Sequence, residues 1–401
     1  MSSNELTFRR LIAPVGGDEF LGDYYRRQAL HIPGPEDKLA GLFSWEDLND
    51  LLAMSTIWNG STLELALDGK QIPPAAYCYE GTTRDNERGQ LPDYFRVHGH
   101  LEKGATLALN QIARLTPGLR TVAQSLEAVF GAPAHAVAFC SFNSVAGYFS
   151  HFDTTNAFAC HIAGRKTWRI YSGRHENACG HPHGHGNAMT REQHAEARGE
   201  VVMEVEMTPG DVLYIPHGQY HDALATSEAS LHITFGVRHM VVQDFLNRLL
   251  PDLPADPFFR TQLPAYDDPA AQRNASQAVA ARLQQVLTDQ KVHEGLHDFL
   301  QGKAFERESV FRFPHRGRPA AFRVRWPGRR LERNAEGCRL SGADGAGLLT
   351  LDPSEAEVAA WIYERDLFQL DELGNAFSAA NPEALRELLA RLQGVGLLER
   401  L

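Results

Sequence analysis

The sequence lacks several features that would assign it to a well-known class. Its 401 residues contain five cysteines, and none of these forms a CxxC pair. This spacing excludes a disulfide framework and a structural zinc module, and it fits reduced thiols. No run of about 18 apolar residues is present, so we expect no membrane-spanning helix. The first residues lack the apolar core of a signal peptide, which favours a cytoplasmic protein.

Basic residues are also scarce relative to acidic ones. Lys and Arg number 39 against 50 Asp and Glu, which gives a formal net charge of −11. A chain this acidic does not hold nucleic acid through a broad basic face, so direct DNA binding is not expected. The charge would attract a basic partner, and it would equally serve solubility alone.

The pattern of apolar residues divides the chain into three parts. In the first part, residues 1–239, helical segments precede a series of short strands that begins near residue 135. Within it, residues 106–131 read as two helices separated by Pro117-Gly118. The strands are rich in β-branched and aromatic residues and are bounded by turn residues, which is typical of an antiparallel sandwich or barrel.

The second and third parts carry helices of different kinds. Residues 240–304 read as a helical segment that would pair two copies of the chain, with packing against its own chain as the alternative. Residues 305–401 combine short strands with three helices and end in a strand, the pattern of a winged helix. Acidic residues outnumber basic residues over 352–401, which argues against phosphate binding there. We therefore expect an α+β fold.

The strongest chemical signal is His151-Phe-Asp153, within the expected strand AGYFSHFD. Residues i and i+2 of a strand face the same side, so the imidazole and the carboxylate converge. A third ligand comes from TPGDVLYIPHGQYHDA, in which His217 and His221 are both candidates. Two histidines and one carboxylate on one face form the facial triad of non-haem Fe(II) oxygenases.

Enzymes with this triad also need an electron source, usually 2-oxoglutarate, whose far carboxylate requires a cation. Lys166 begins the expected strand KTWRIYS and shares a face with Trp168 and Ile170, whereas Arg165 lies on the opposite face. A lysine on that apolar face points into the barrel, where burial without an anionic partner is costly. A lysine at a strand end that reaches solvent is the simpler interpretation.

The stretch GYFSHFDTTNAFACHIAGRKTWRIYS, followed by MTPGDVLYIPHGQYHDA and SLHITFGV, resembles the JmjC and cupin-type 2-oxoglutarate oxygenases, in particular the ribosomal oxygenase branch. The resemblance implies a double-stranded β-helix (jelly-roll) core with helical additions, a helical dimerisation region and a C-terminal winged-helix domain. It implies Fe(II) ligands at His151, Asp153 and His221, and it makes Lys166 the partner of 2-oxoglutarate. That branch hydroxylates arginine or histidine side chains of ribosomal proteins, and such basic targets suit this acidic chain.

The sequence departs from the family pattern on the strand VAFCSFN. The family often places a tyrosine or asparagine there to help hold the cosubstrate, whereas this chain offers Phe139 and Ser141. Ser141 can hydrogen-bond to the cosubstrate, and Thr234 on the last strand can assist together with His232. These departures concern the substrate, so a small peptide or peptide natural product, or a metal-binding cupin without catalysis, are the alternatives to a ribosomal protein.

Two further groups of polar residues flank the expected site. Glu204, Glu206 and Asp222 are candidates for docking a basic side chain near its mouth. A polar loop over residues 174–200 carries four potential ligands: Cys179, His181, His183 and His185. Their spacing is too tight for the usual zinc sites, so we expect a loop, or a lid that contacts the substrate.

Overall fold

The computed structural model describes most of the chain: residues 6–83, 85–142, 147–180, 189–300, 320–334 and 337–400. Contacts group the chain into two compact units. The larger unit comprises residues 1–130, 134–238 and 311–401, and the smaller unit comprises residues 131–133 and 239–310. The strand-rich region and the C-terminal residues therefore fold together in the larger unit, and the helical segment forms the smaller unit.

Short 3-10 and π helices occur along the chain, and the described residues form twelve α-helices. Their bounds are α1 (Phe8–Ile12), α2 (Gly17–Glu19), α3 (Trp45–Ala53), α4 (Tyr94–Leu101), α5 (Pro117–Phe130), α6 (Arg191–Ala197), α7 (Val242–Leu249), α8 (Pro269–Leu287), α9 (Gln290–Leu300), α10 (Pro353–Tyr363), α11 (Leu370–Ala376) and α12 (Pro382–Gly394). Side-chain caps fix several starts: Ser44 Oγ, for example, accepts from the amide of Asp47 at 3.1 Å and begins α3.

The strands are short, and all the pairs that they form are antiparallel. Their bounds are β1 (Leu30–Ile32), β2 (Leu63–Leu67), β3 (Lys70–Gln71), β4 (Cys78–Thr82), β5 (Arg88–Pro92), β6 (Thr106–Leu109), β7 (Ala134–Phe142), β8 (Asn156–Ala163), β9 (Lys166–Arg174), β10 (Val201–Met207), β11 (Val212–Ile215), β12 (Gln219–Ala225), β13 (Ala229–Val237), β14 (Ala321–Val324), β15 (Arg329–Asn334), β16 (Gly337–Gly342), β17 (Gly347–Leu351), β18 (Leu367–Gln369) and β19 (Leu398–Arg400).

Two sheets form the core of the larger unit. The larger sheet has eight strands in the order β1-β11-β8-β13-β7-β6-β2-β3, and the smaller sheet has the order β10-β9-β12. An apolar cluster joins them, with Ala157 and Leu213 from the larger sheet packed with Trp168 and Ile170 from the smaller one. Because alternate residues of each strand face this cluster, the sheets pack face to face. This architecture confirms the predicted double-stranded β-helix core.

The prediction of a helix at the beginning of residues 106–131 is wrong. Thr106–Leu109 is strand β6, which pairs with β2 on one side and β7 on the other. All four residues of β6 are buried, so the segment has no apolar–polar alternation from which to distinguish strand from helix. The prediction of a helix after the Pro117-Gly118 break is confirmed by α5.

The expected strand over residues 146–153 is also corrected. Residues 147–150 are turn and bend, and His151 forms only an isolated bridge before β8 begins. This stretch contains Gly147 and Ser150, and both residue types have a low intrinsic preference for strands. The HxD pair therefore lies in extended backbone between β7 and β8.

The C-terminal part of the larger unit contains two small sheets and three helices. β14 pairs with both β18 and β19, and β15, β16 and β17 form a separate antiparallel sheet. The helices α10, α11 and α12 lie where the sequence predicts helices. The winged-helix assignment of residues 305–401 stays a prediction, and its residues 305–319 and 335–336 lie outside the described residues.

A buried carboxylate connects this C-terminal part to the rest of the larger unit. Asp366 is fully buried and accepts hydrogen bonds from three donors: the amide of Phe8, Ser125 Oγ and Trp326 Nε1. Phe8 belongs to α1 and Ser125 to α5, so one side chain joins three distant segments. Burial raises the pKa of Asp366 even though these donors favour the charged form.

The smaller unit contains α7, α8 and α9. The rings of Phe245 and Phe299 pack together with centroids 5.9 Å apart. No residue of α8 is buried, and Leu263 and Tyr266 ahead of it are highly exposed. Pairing of two copies through residues 240–304 stays a prediction. Within the described part of the chain, no helix has the length and apolar character needed to cross a bilayer.

Candidate metal centre

Backbone hydrogen bonds bring the HxD segment to strand β12. The amide of His151 donates to the carbonyl of His221 at 3.0 Å, and the amide of His221 donates to the carbonyl of His151 at 2.8 Å. The amide of Gly218 also donates to the carbonyl of Asp153 at 2.8 Å. These bonds hold two distant stretches of sequence side by side.

The three side chains converge on one point. Asp153 Oδ1 lies 3.8 Å from His151 Nε2, and Asp153 Oδ2 lies 3.7 Å from His221 Nε2. One potential ligand atom from each residue lies within 4.8 Å of the others, and no second group of this kind occurs among the described residues. His221 is buried, whereas the Asp153 side chain is 38% exposed, so the centre is accessible from solvent.

Hydrogen bonds to the backbone set the tautomer of both imidazoles. His151 Nδ1 lies 2.9 Å from the carbonyl oxygen of Phe149, and His221 Nδ1 lies 3.0 Å from that of Gln219. A carbonyl oxygen only accepts, so each Nδ1 carries a proton and donates it. Each Nε2 then presents its lone pair on the side of Asp153. Burial lowers the pKa of His221, which favours the neutral form that a metal requires.

This donor set fits a divalent transition metal such as Fe(II). Two neutral imidazoles and one carboxylate supply three ligands and leave other coordination positions open. His217, the competing third ligand, is buried beside Asn156, with its Nδ1 3.4 Å from Asn156 Oδ1. The structure therefore brings His221, and not His217, to His151 and Asp153.

A cavity of about 520 Å³ adjoins this centre and is lined by residues of both sheets. On the larger sheet, β7 contributes His135, Val137 and Phe139, and β13 contributes His232 and Thr234. This i, i+2 alternation follows from the pleat of each strand. Thr234, predicted as a cosubstrate residue, thus lies in the cavity wall and is half-buried.

Lys166 lies at the beginning of β9 and lines the same cavity. Its side chain is buried, and its Nζ donates to Ser141 Oγ at 3.0 Å. Thr106 Oγ1 donates to the same hydroxyl oxygen at 3.1 Å. Ser141 itself is buried and is not among the described residues that line the cavity. Arg165 points the other way, is exposed, and lies 3.7 Å from Glu206.

The surroundings of Lys166 are short of negative charge. Burial lowers the pKa of Lys166 to about 8, opposed only by the nearby Cys140. No carboxylate in the described part of the chain pairs with it. A buried ammonium without an anion is costly, so the site suits an anionic ligand that enters the cavity.

Sequence reasoning missed part of the cavity wall. Glu64 on β2, Asn110 after β6 and Tyr148 ahead of the HxD segment all line the cavity. The available signal was the alternation of β2, in which Leu63 and Leu65 are buried on either side of Glu64. This alternation alone does not place Glu64 in the cavity, because β2 reaches the cavity by pairing with β6. The sequence pattern favours a helix for the β6 segment, so the pairing was not expected.

The other predicted polar groups lie outside this cavity. Glu204 forms an ion pair with Arg169 at 2.8 Å, and Asp222 accepts a hydrogen bond from the hydroxyl of Tyr171. Cys179 is a half-buried free thiol. The loop histidines all lie outside the described residues: His181, His183 and His185.

The sequence over residues 110–245 matches the family described as JmjC domain. Ribosomal oxygenase 1 of Gallus gallus is 28% identical over 248 residues, which cover 61% of this chain and 39% of that protein. The bifunctional lysine-specific demethylase and histidyl-hydroxylase NO66 of Drosophila willistoni is 23% identical over 259 residues, which cover 60% of this chain and 30% of that protein. This chain therefore spans less than half the length of these curated relatives.

The comparison with solved structures covers more of the chain than the comparison with sequence relatives. The X-ray structure of E. coli ycfD covers 96% of this chain and 98% of its own, with a TM-score of 0.49 and 14% sequence identity. The JmjC match contains the HxD segment, Lys166 and His221. The chain is thus similar to JmjC-domain proteins over residues 110–245, and its relatives include a ribosomal oxygenase and a histidyl-hydroxylase.

Proposed function

We propose that this chain is an Fe(II)- and 2-oxoglutarate-dependent oxygenase that hydroxylates an arginine or histidine side chain of a basic protein such as a ribosomal protein. The observation that carries the proposal is the presence, in one cavity, of a His-Asp-His donor set and the buried cation of Lys166. The names of the sequence relatives, a ribosomal oxygenase and a histidyl-hydroxylase, support the same class of reaction.

The metal centre has a defined task in this proposal. His151, Asp153 and His221 hold the iron through two imidazole nitrogens and one carboxylate. When bound, Fe(II) together with 2-oxoglutarate and dioxygen supplies the oxidising power to hydroxylate an unactivated carbon. The backbone hydrogen bonds to both Nδ1 atoms keep the imidazole lone pairs aimed at the metal.

The other end of the cavity binds the cosubstrate. Lys166 pairs with the far carboxylate of 2-oxoglutarate through a charge-assisted hydrogen bond. Ser141 accepts a hydrogen bond from the ammonium and so holds it in place. Thr234, on β13, supplies a further hydroxyl to the cavity wall.

Partners and location follow from the substrate class. The net charge of −11 favours a basic protein partner over direct contact with DNA. Residues 240–304 would pair two copies of the chain, because their helices leave apolar side chains exposed. A ribosomal protein is reached in the cytoplasm, where it is synthesised.

His151→Ala tests the reaction directly. Purified protein with Fe(II), 2-oxoglutarate and dioxygen is expected to form succinate, and the variant is expected to form none. His98→Ala serves as the matched control, because His98 is an exposed histidine of α4. Metal binding without succinate formation by the native chain would overturn the oxygenase proposal and favour a non-catalytic cupin.

The protein target is found by comparing intact masses of ribosomal proteins from a deletion strain and its parent. One ribosomal protein is expected to be lighter by one oxygen atom in the deletion strain. Identical masses for all ribosomal proteins would contradict a ribosomal substrate and leave a small peptide as the target.

A further inference from the structure

The cavity contains one carboxylate that the proposed metal centre does not use. Among the described residues that line it, the acidic ones are Asp153 and Glu64, and Asp153 belongs to the metal group. Glu64 lies on β2, near the β3 end of the larger sheet. Lys166 and His221 come from the smaller sheet. Glu64 therefore approaches the cavity from the opposite wall.

Glu64 and His232 lie on different strands of the cavity wall that the larger sheet forms. A row of paired residues runs across the sheet from Glu64 through Ala108 and Phe139 to His232. Neighbouring strands are about 4.8 Å apart, so three spacings place roughly 14 Å between the backbones of Glu64 and His232. The cosubstrate end is marked by Lys166 Nζ, which donates to Ser141 on β7, and Thr106 on β6 donates to the same hydroxyl. The cavity therefore extends from Lys166 along β7 and β6 to Glu64 on β2.

Glu64 has no cationic partner of its own. It is half-buried, and its hydrogen-bond partner is the side chain of Asn110. No ion pair joins it to another described residue, and burial raises the pKa of its carboxyl. A cation that enters the cavity would stabilise the charged form. Glu64 is therefore suited to receive a cation that arrives with a substrate.

The carboxylates expected to dock a basic side chain are already engaged. Glu204 pairs with Arg169 at 2.8 Å, and Glu206 lies 3.7 Å from Arg165. Asp222 accepts a hydrogen bond from the hydroxyl of Tyr171. None of these three carboxylates lines the cavity that contains the metal group. Glu64 is therefore better placed than these three residues to meet a cation inside that cavity.

Aromatic side chains lie between Glu64 and the metal group. The rings of Tyr148 and Phe139 meet edge to face with centroids 6.2 Å apart, and the Tyr148 ring lies 6.0 Å from the imidazole of His151. Tyr148 and Glu64 both line the cavity. Such a wall suits the methylene stem and the planar head of an arginine.

We propose that Glu64 is the specificity-determining residue that selects an arginine side chain, binding its guanidinium while the methylene stem passes Tyr148 towards the metal group. The inference rests on the proposed function, because it assigns the substrate side chain of that same site. A carboxylate receives two parallel hydrogen bonds from a guanidinium, and a neutral imidazole offers only one donor. The side-chain oxygen of Asn110 adds a further acceptor.

Binding of small probes tests this assignment. The full-length chain, loaded with Mn(II) and 2-oxoglutarate, is titrated with the Nα-acetyl methylamides of arginine, citrulline and histidine. Arginine is expected to bind more tightly than citrulline, its neutral analogue of the same shape, and than histidine. Glu64→Gln is expected to weaken arginine binding by about tenfold or more, because the charge-assisted pair is lost. Glu64→Asp keeps the charge and is expected to retain part of the affinity.

Glu80→Gln is the control, because Glu80 is an exposed glutamate of β4 outside the cavity. Equal binding of arginine and citrulline, or unchanged arginine affinity in Glu64→Gln with an unchanged Tm, would overturn the assignment of Glu64. The proposed oxygenase function has a separate readout, namely succinate formation without added substrate. The native chain and Glu80→Gln are both expected to show that turnover, so a failure of the oxygenase function is distinguished from a failure of the Glu64 assignment.

Discussion

Replacing Lys166 by methionine is expected to stabilise the protein while removing its cosubstrate site. The substitution roughly keeps the length of the side chain and removes the ammonium. Burial lowers the pKa of Lys166 from 10.5 to about 8. A pKa lowered by roughly 2.5 means that the charged ammonium of Lys166 decreases the free energy of unfolding by about 3 kcal/mol. Loss of the hydrogen bond to Ser141 offsets about 1 kcal/mol, which leaves a gain of about 2 kcal/mol.

The pH dependence of this gain has a definite sign. Because the pKa of Lys166 is lower in the folded than in the unfolded state, the unfolded chain takes up the proton first as the pH falls. The free energy of unfolding contributed by this group therefore decreases as the pH falls from about 10.5 to about 8, and it is constant below that range. The advantage of Lys166→Met is complete at pH 7 and vanishes above about pH 10.5.

Urea unfolding, followed by tryptophan fluorescence at pH 7 and pH 10.5, measures this effect. Mn(II) with 2-oxoglutarate is expected to stabilise the native chain by mass action and to leave Lys166→Met unchanged relative to Mn(II) alone. Arg165→Met, at the exposed neighbouring position, is expected to change the free energy of unfolding by less than about 0.5 kcal/mol. A Lys166→Met protein that is less stable at pH 7, or that 2-oxoglutarate still stabilises, would refute the reasoning.

Two further predictions concern the same cation and the buried Asp366. The affinity for 2-oxoglutarate is expected to fall as the pH rises above about 8, because the free protein then loses the ammonium proton of Lys166; calorimetry from pH 7 to pH 9.5 checks this, and a flat profile contradicts it. Asp366→Ala leaves three buried donors without an acceptor and is expected to lower the free energy of unfolding by about 3 kcal/mol or more. Urea unfolding measures this loss against Glu357→Ala, an exposed acidic position of α10, and equal stability of the two variants would count against the anchoring role of Asp366.

The sequence predicts two of the metal ligands from a local signal, whereas the choice of His221 over His217 as the third came from the family resemblance. His151 and Asp153 are separated by one residue, and extended backbone of any kind places them on the same side. The structure replaces the expected strand with an isolated bridge to His221, yet the convergence is kept. The position of Lys166 follows from the same alternation, since β9 is a regular strand with buried and exposed residues in turn.

The residues on the substrate side of the cavity could not be predicted from the sequence, because their position depends on pairing between distant strands. The buried segment Thr106–Leu109 has no alternation, so its apolar run fits a helix as well as a strand. Only its pairing with β7 makes it a strand, and that pairing brings β2 to the sheet. Glu64 reaches the cavity only through this second pairing. No local pattern in the sequence distinguishes Glu64 from an exposed surface glutamate.

A crystal structure of the chain with Mn(II) and 2-oxoglutarate tests the central claim most directly. The anomalous signal of manganese is expected within bonding distance of His151 Nε2, His221 Nε2 and a carboxylate oxygen of Asp153. One carboxylate of 2-oxoglutarate is expected against Lys166 Nζ. Manganese bound elsewhere, or 2-oxoglutarate bound away from Lys166, would contradict the account.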